Sequence, residues 1–490
     1  MMPHLNYLSA IRRAREAYRA RLDREIDDHG LASTLLLQLE HDYTYDDLIA
    51  WIERSAEYRA REVPTTSPTL NAAAPLPPLT GHLSVDGMAY VDDTGRRIPL
   101  MCHVGDLLML FVEGRLENDK EKEQRVHNAF TDLRDHGYSG LRSWWSIRWG
   151  DEPNAYWGSR RLNPSDHAHR QMIAECLRIG AADYGLQWHL ALGSAAEVSP
   201  HAMSEAWHWL GDIVQAHPTW FALIEGLNEA YHNGESDPEV VERWVNISRH
   251  KTPTVLHALS AADGAAGSEE ADELKKWTPS WQQVYLVHAS RANHWGDQTR
   301  HAFSTGYKRA PRRLGWSGEP PGIQWGEHTR VSGMNYPEEW TRNPWRYAFY
   351  LAVTALSRQV PTYMCSHGVC LEGRLRDAPG FALAPRLISD LPPDLMAYDE
   401  LFHGGVTHKH RRGSAAPEHC RAEHAKHADG SCVIAVYPER PGITEMDLIF
   451  ERPWRGRLHD AYGYTDMAIA RGATIRRDIS NGLLCVGEVL

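Results

Sequence analysis

Between residues 98 and 400 the chain alternates short apolar runs with helical stretches, and this beat restricts the fold more than any other feature. The apolar runs are Ile98–Cys102, Tyr138–Arg142, Leu186–Leu192, Trp220–Leu227, Thr254–Leu259, Val284–His288, Leu314–Trp316 and Thr362–Met364. Their length and content read as buried strands. Segment 119–136 puts Val126, Phe130 and Leu133 on one helical face and stops at Gly137. A second helix is expected near 165–184, ending at Gly185, and a third over 237–249, opened by Asp237-Pro238. Eight strand candidates in about 300 residues predict an α/β fold of the (β/α)8 TIM-barrel kind. An open, doubly wound sheet is the alternative. It and a nucleotide-using enzyme are disfavoured because no Gly-rich phosphate loop follows the first strand.

Different patterns flank this stretch. Residues 1–62 read as a helical module: Tyr7, Ile11, Tyr18, Leu22 and Ile26 share one face, Gly30 is a stop, and Thr44 with Asp47 opens a later helix. The order Tyr18–Glu25, Gly30-Leu31, Ile52–Tyr58 resembles phycobilisome linker-like modules. That resemblance implies attachment to a larger assembly; an ordinary helical extension is the alternative. Residues 63–80, rich in proline and free of charge over Pro64–Thr69 and Ala72–Pro78, read as a semi-rigid linker. Gly81–Gly95 alternates like a hairpin turning on Asp92, Asp93 and Gly95. Beyond residue 401, six histidines (His403, His408, His410, His419, His424 and His427) crowd a polar, loop-like stretch. Strand-like runs follow at Cys432–Tyr437, Met446–Phe450 and Leu483–Gly487. The expected organisation is therefore a helical module (1–62), a linker (63–80), a barrel with an N-terminal hairpin (81–400) and a small C-terminal β-sandwich (401–490).

Composition narrows the function classes. The 490 residues carry 64 Asp+Glu against 52 Lys+Arg with no basic stripe, which argues against a nucleic-acid partner. No apolar run is long enough to span a membrane, and the charged N-terminus lacks a signal-peptide core. An extracellular or phage-particle location would need another export route, and a cytoplasmic one stays open. Seven scattered cysteines do not form a disulfide framework, although Cys365 and Cys370 are near enough in sequence to pair. Cys420, His424 and His427 lack a second ligand pair, so no metal is expected. Eighteen Trp and 20 Tyr against 8 Phe point to amphipathic surfaces of the kind on which sugar rings stack, with a Trp-rich core as the plainer reading.

In a barrel, reactive groups emerge at the C-terminal ends of the strands. Arg142 ends the second strand, Asn228-Glu229 the fourth, His288 the sixth, Glu319 follows the seventh and His367 the eighth. Two carboxyl groups from two strand ends are what glycosidic-bond hydrolysis requires. One gives a proton to the leaving oxygen while the other attacks, or activates water, from the opposite face. Trp144, Trp145 and Trp149 follow the second strand, Trp295 the sixth, and Trp316 and Trp325 flank Glu319; these are candidate sugar platforms or loop packing. His189 and His103 sit at other strand ends and are candidates to bind sugar hydroxyls or to fill the core. Glu225 reads as a packing residue or structural ion pair, and Glu327 as a rival nucleophile.

Asn-Glu after strand four, a Glu after strand seven and an Arg after strand two resemble the clan-A glycoside hydrolases, which include cellulase-like, mannanase-like and β-galactosidase-like enzymes. The resemblance spans about residues 81–400. It implies that Glu229 is the acid/base, Glu319 the nucleophile, Asn228 the holder of the sugar 2-hydroxyl and Arg142 the support of the nucleophile, with no cofactor. The chain departs from the pattern at Ala230, often Pro in the family. Its seventh strand is less apolar, and Tyr363 and His367 stand where a Trp is usual. The expected function is a retaining glycosidase acting on an oligo- or polysaccharide, with carboxyls about 5 Å apart. A non-catalytic carbohydrate-binding or virion protein on the same barrel is the alternative.

Overall fold

A computed structural model of the protein describes residues 76–146, 162–193, 200–228, 237–262, 279–288, 313–319, 343–364 and 374–398 except 379, with isolated positions near 300 and most of 400–490. The chain divides after Ala73, and every described residue belongs to the second unit, Ala74–Leu490. The readings made for residues 1–75 lie outside the described residues.

The first described element is an antiparallel meander, β1 (Ser84–Asp86), β2 (Ala89–Asp92) and β3 (Gly95–Arg97), where the sequence predicts a single hairpin. The extra turn falls at Gly87, whose φ of +60° favours glycine. The predicted turn is present too: Asp92 accepts hydrogen bonds from the Thr94 amide and hydroxyl. Tyr90 ties the meander to the strands beyond it by donating its hydroxyl to the Gly315 carbonyl at 2.8 Å.

The parallel strands are β4 (Met101–His103), β5 (Gly140–Ser146), β6 (Gln187–Leu192), β7 (Phe221–Leu227), β8 (His257–Ala258), β9 (Ser260–Ala262), β10 (Val284–His288), β11 (Leu314–Ser317), β12 (Gln359–Val360) and β13 (Thr362–Met364). They form two sheets, ordered β13-β4-β5-β6-β7-β8 and β12-β11-β10-β9, with every pairing parallel. Only Leu259 separates β8 from β9, and only Pro361 separates β12 from β13. Pro361 has no N–H to offer a ladder, although its carbonyl accepts from the Met101 amide. Strand segments thus neighbour one another in chain order, which is the TIM-barrel-like arrangement expected. The boundaries of β10 match the sequence reading residue for residue.

The helices are α1 (Leu107–Glu117), α2 (Lys120–His136), α3 (His167–Arg178), α4 (Pro200–Ala216), α5 (Pro238–Lys251), α6 (Pro344–Leu356) and α7 (Leu383–Ser389). Their ends follow local chemistry. Asp119 and Asp237 cap α2 and α5 with side-chain oxygens, and Gly137 ends α2 in the left-handed region at φ +82°. Near Gly185 the sequence predicts a longer α-helix; α3 instead widens into a π turn over Ile179–Asp183. Helix α1 is unannounced by any periodicity because Leu107 to Val112 are all buried, so it has no polar face.

The C-terminal part contains β14 (Glu400–Leu401), β15 (Val406–Lys409), β16 (Cys420–Lys426), β17 (Ser431–Pro438), β18 (Glu445–Phe450), β19 (Trp454–Asp460), β20 (Gly463–Ile469), β21 (Thr474–Asp478) and β22 (Leu483–Val489). Two antiparallel sheets result, β14-β16-β17-β22-β19-β20 and β15-β18-β21. The histidine-rich stretch is therefore not all loop: His408 lies in β15 and His424 in β16, where backbone pairing overrides composition. Strand β17 explains how this part is fastened. Its even residues Cys432, Ile434 and Val436 join Leu448, Phe450, Trp454 and Ile475 in a core between the sheets. Its odd residues Val433, Ala435 and Tyr437 join the core around the parallel sheets. A strand buried on both faces must be apolar throughout, as this one is. Helix α6 meets that face: Phe349 lies 6.0 Å from the Tyr437 ring, and Trp345 donates its indole N–H to the Gly482 carbonyl.

Cys176, Cys432 and Cys485 are buried free thiols, and Cys102 is buried in β4; Cys365 and Cys370 lie outside the described residues. No helix among the described residues is long and apolar enough to cross a membrane. Because Phe349 is fully buried where the two cores meet, Phe349→Ala should destabilise the protein by roughly 3–5 kcal/mol in urea unfolding. A loss below about 1 kcal/mol would show that this contact does not couple the parallel sheets to the C-terminal sheets.

Candidate active site

Alternation along the strands decides what faces inward. On β5, Arg142 turns to the interior, while Ser143 contacts the start of α1 and Trp145 packs against Trp207 of α4 at 5.2 Å. On β6, His189 faces in and Trp188 reaches out to the Leu177 carbonyl of α3. On β7, Glu225 faces in. Gly226 faces out, and a Cβ there would come within 2.8 Å of Val241 on α5. His103 of β4, His288 of β10 and Glu319, two residues past β11, complete the group.

Arg142 organises it. The side chain is fully buried, and all five guanidinium N–H donors have acceptors. Nε and one Nη2 hydrogen go to the two oxygens of Glu225, at 2.8 and 2.9 Å. Nη1 donates to Glu319 Oε1 at 2.8 Å and to His103 Nδ1 at 3.0 Å. The second Nη2 hydrogen goes to Asn228 Oδ1. One cation on β5 therefore joins residues from β4 and β7, the residue after β7 and the second residue past β11. His189 Nε2 donates to Glu225 Oε2 at 2.7 Å. His288 lies 3.6 Å from Glu225 and 4.0 Å from Glu319. A Cβ on Gly318 would come within 2.6 Å of the His288 ring, so glycine is needed for Glu319 to approach it.

Electrostatics follows from burial and pairing. Burial alone would raise the Glu225 carboxyl, but Arg142 and the His189 hydrogen bond outweigh it and hold the group well below the usual carboxylate range. Burial pulls His189 down to about 4, against the opposing pull of Glu225, so this ring is neutral near pH 7. Opposing carboxylates raise Arg142 further despite its desolvation.

Of the residues singled out in the sequence, Arg142, Asn228, His189, His288 and Glu319 come together, and His103 joins them. Glu229, His367, Trp295, Trp149, Trp325 and Glu327 lie outside the described residues; Glu229 directly follows Asn228. The tryptophans differ from expectation. Trp316 is fully buried, with Tyr90 and His189 packed against it at 5.9 and 5.3 Å, so it is core and not an open platform. Trp145 is sealed behind β5. Trp144 is almost buried and sits edge-on to His103 at 5.4 Å, so it too has little open face. Glu225, read as a structural ion pair, is the chief partner of Arg142. A lone Glu inside the buried run Phe221–Leu227 and a lone Arg ending another were the available signal, since neither charge can be buried unpaired.

No protein-family model matches the sequence, and no curated protein matches it. Among solved structures, one described as a glycoside hydrolase aligns with 84% of this chain and 97% of its own, at a TM-score of 0.54 and 11% identity. A family 5 glycoside hydrolase from Bacteroides vulgatus aligns with 84% of this chain and 93% of its own, at a TM-score of 0.54 and 12% identity. The likeness of residues 1–62 to a phycobilisome linker gains no support from these comparisons.

Two predictions follow from the buried charges. Arg142→Met strands Glu225 and should cost roughly 3–5 kcal/mol, whereas adding Glu225→Leu should recover most of that loss in urea unfolding. His257, also buried, is likewise held near 4. Unfolded histidine takes up its proton near 6.5 and these two only near 4, so the unfolded state binds more protons in between. Stability should fall as pH drops from about 6.5 to 4, by up to about 3 kcal/mol per ring. An unfolding midpoint that is flat over this window would contradict the burial of neutral rings. At the described level, this chain shares the fold of glycoside hydrolases.

Proposed function

We propose that the chain is a retaining glycoside hydrolase on a closed (β/α)8 barrel, acting on an oligo- or polysaccharide. The observation that carries this reading is the shared guanidinium: Arg142 donates at once to Glu319 after β11 and to Asn228 after β7. Glu319 is the nucleophile. A charge-assisted hydrogen bond from Arg142 favours its anionic form and fixes its direction. Glu229, adjoining Asn228, is the acid/base. In the first step a Glu319 oxygen bonds to the anomeric carbon as the glycosidic C–O bond breaks, and Glu229 passes its proton to the leaving oxygen. In the second step Glu229 takes a proton from water, the water oxygen replaces Glu319 on the anomeric carbon, and the carboxylate is released.

Asn228 offers its amide to the sugar 2-hydroxyl. Its oxygen is engaged by Arg142, so the amide NH2 is turned away from the guanidinium. His189 is already committed to Glu225, so it acts behind the site and not on sugar. His288 stands beside both carboxylates and is placed to contact a sugar bound over Glu319. His367 and Trp295 are proposed substrate contacts from the loops after the eighth and sixth strands. Residues 1–62 are proposed as an attachment module joined by the linker 63–80, with the protein working outside the cell or on a particle.

The test is hydrolysis of a panel of aryl glycosides and polysaccharides by the wild type, Glu229→Gln and Glu319→Gln, with proton NMR of the first-formed anomer. The expected result is retention of configuration, loss of activity in Glu319→Gln and a reduction of about 10²–10⁴-fold in Glu229→Gln. Wild-type rates in both variants, or an inverted product, would overturn the reading.

A further inference from the structure

Glu225 stands out because, among the described residues, every side chain it pairs with belongs to the site. Its carboxylate is fully buried in β7, one strand turn before Asn228, where an unpaired charge would be strongly disfavoured. It contacts Arg142 through both oxygens, accepts from His189 at 2.7 Å and lies 3.6 Å from His288. A bidentate carboxylate sets the plane of a guanidinium as well as its place. Once Nε and one Nη2 hydrogen are fixed on Glu225, the other three N–H directions are determined. Those three meet Glu319, His103 and Asn228.

We propose that Glu225 is a positioning residue, whose carboxylate clamps Arg142 in the one plane that lets its remaining donors hold Glu319 and Asn228 together. The clamp is itself braced by His189. The ionisable groups facing it are Arg142 of β5, His103 of β4, His189 of β6, His288 of β10 and Glu319 after β11. Without the clamp, the guanidinium turns about its side-chain bonds to follow Glu319 alone or leaves it. The catalytic consequence rests on the glycosidase reading above; the clamp does not.

Glu225→Gln tests both. The amide keeps the shape of the carboxylate, but its NH2 opposes an Arg142 donor, so the bidentate pair cannot form. In a crystal structure of the variant, the guanidinium should be rotated and its contacts to Glu319 or Asn228 lost. On a substrate cleaved by the wild type, kcat should fall by about 100-fold, as for a reacting group displaced by about 1 Å, with KM within about twofold. The acidic limb of the kcat/KM profile should move to higher pH, because the nucleophile loses its cationic donor. A residue that only supports the fold would lower the unfolding midpoint and leave that limb in place. If Glu225→Gln does not fold, Glu225→Asp, which keeps the charge but withdraws it by one methylene, carries the same comparison. An Arg142 that still holds Glu319 and Asn228 in the variant, with kcat within about threefold of wild type, overturns the proposal. A wild type that cleaves nothing, in a protein whose Glu225→Gln crystal structure shows the rotated guanidinium, removes the glycosidase reading and keeps the clamp.

Discussion

A guanidinium cannot be taken out of water unless its charge and all its donors are met, and Arg142 is fully out of water. That requirement gathers side chains from both parallel sheets. It calls two carboxylates to one cation, fixes the direction of an asparagine amide and takes the lone pair of a histidine. Such an assembly is a poor way to gain stability, since an apolar replacement of similar volume often folds as well or better. Its worth lies in geometry. Side chains delivered from β4, β5 and β7, and from the turns after β7 and β11, are held to common coordinates by one planar group.

The surrounding fold keeps that group dry and rigid. Trp316 packs against both Tyr90 and His189, and the meander anchors Tyr90 on the Gly315 carbonyl. Outside the sheets, Gly226 lets α5 approach closely, and Trp145 docks on α4. The C-terminal sheets are not an independent appendage within this unit. Strand β17 contributes one face to the core between the antiparallel sheets and the other to the core around the parallel sheets, which α6 shares.

Sequence patterns made the parallel strands legible because most are short, apolar and bounded by glycine or polar residues. Val284–His288 and Thr362–Met364 agree with the observed boundaries. Period-based reading failed where burial is uniform. Helix α1 and most of α6 have no polar face, so the usual helical signature is missing. It failed again where polar strands pair on one face with water, as in β19, β20 and β21, whose arginines and aspartates look like loop. At the site, strand position singles out Arg142, Asn228 and Glu319, whereas Glu225 inside β7 reads only as packing or an ion pair whose partner the sequence does not name. Pairing in three dimensions, across 83 positions of sequence, is what no local pattern displays. The tryptophan excess misled in part, since a ring beside a candidate glutamate in sequence can still face the core.

The account stands most directly on Glu319 as the residue that bonds to sugar. If the protein is the proposed retaining glycosidase, a 2-deoxy-2-fluoro glycosyl fluoride of its substrate sugar would slow release of the covalent intermediate and allow the labelled peptide to be sequenced by mass spectrometry. The account predicts one sugar per chain, attached at Glu319. A label on Glu327 or another carboxylate, or no label while hydrolysis of the parent glycoside proceeds with inversion, would contradict it.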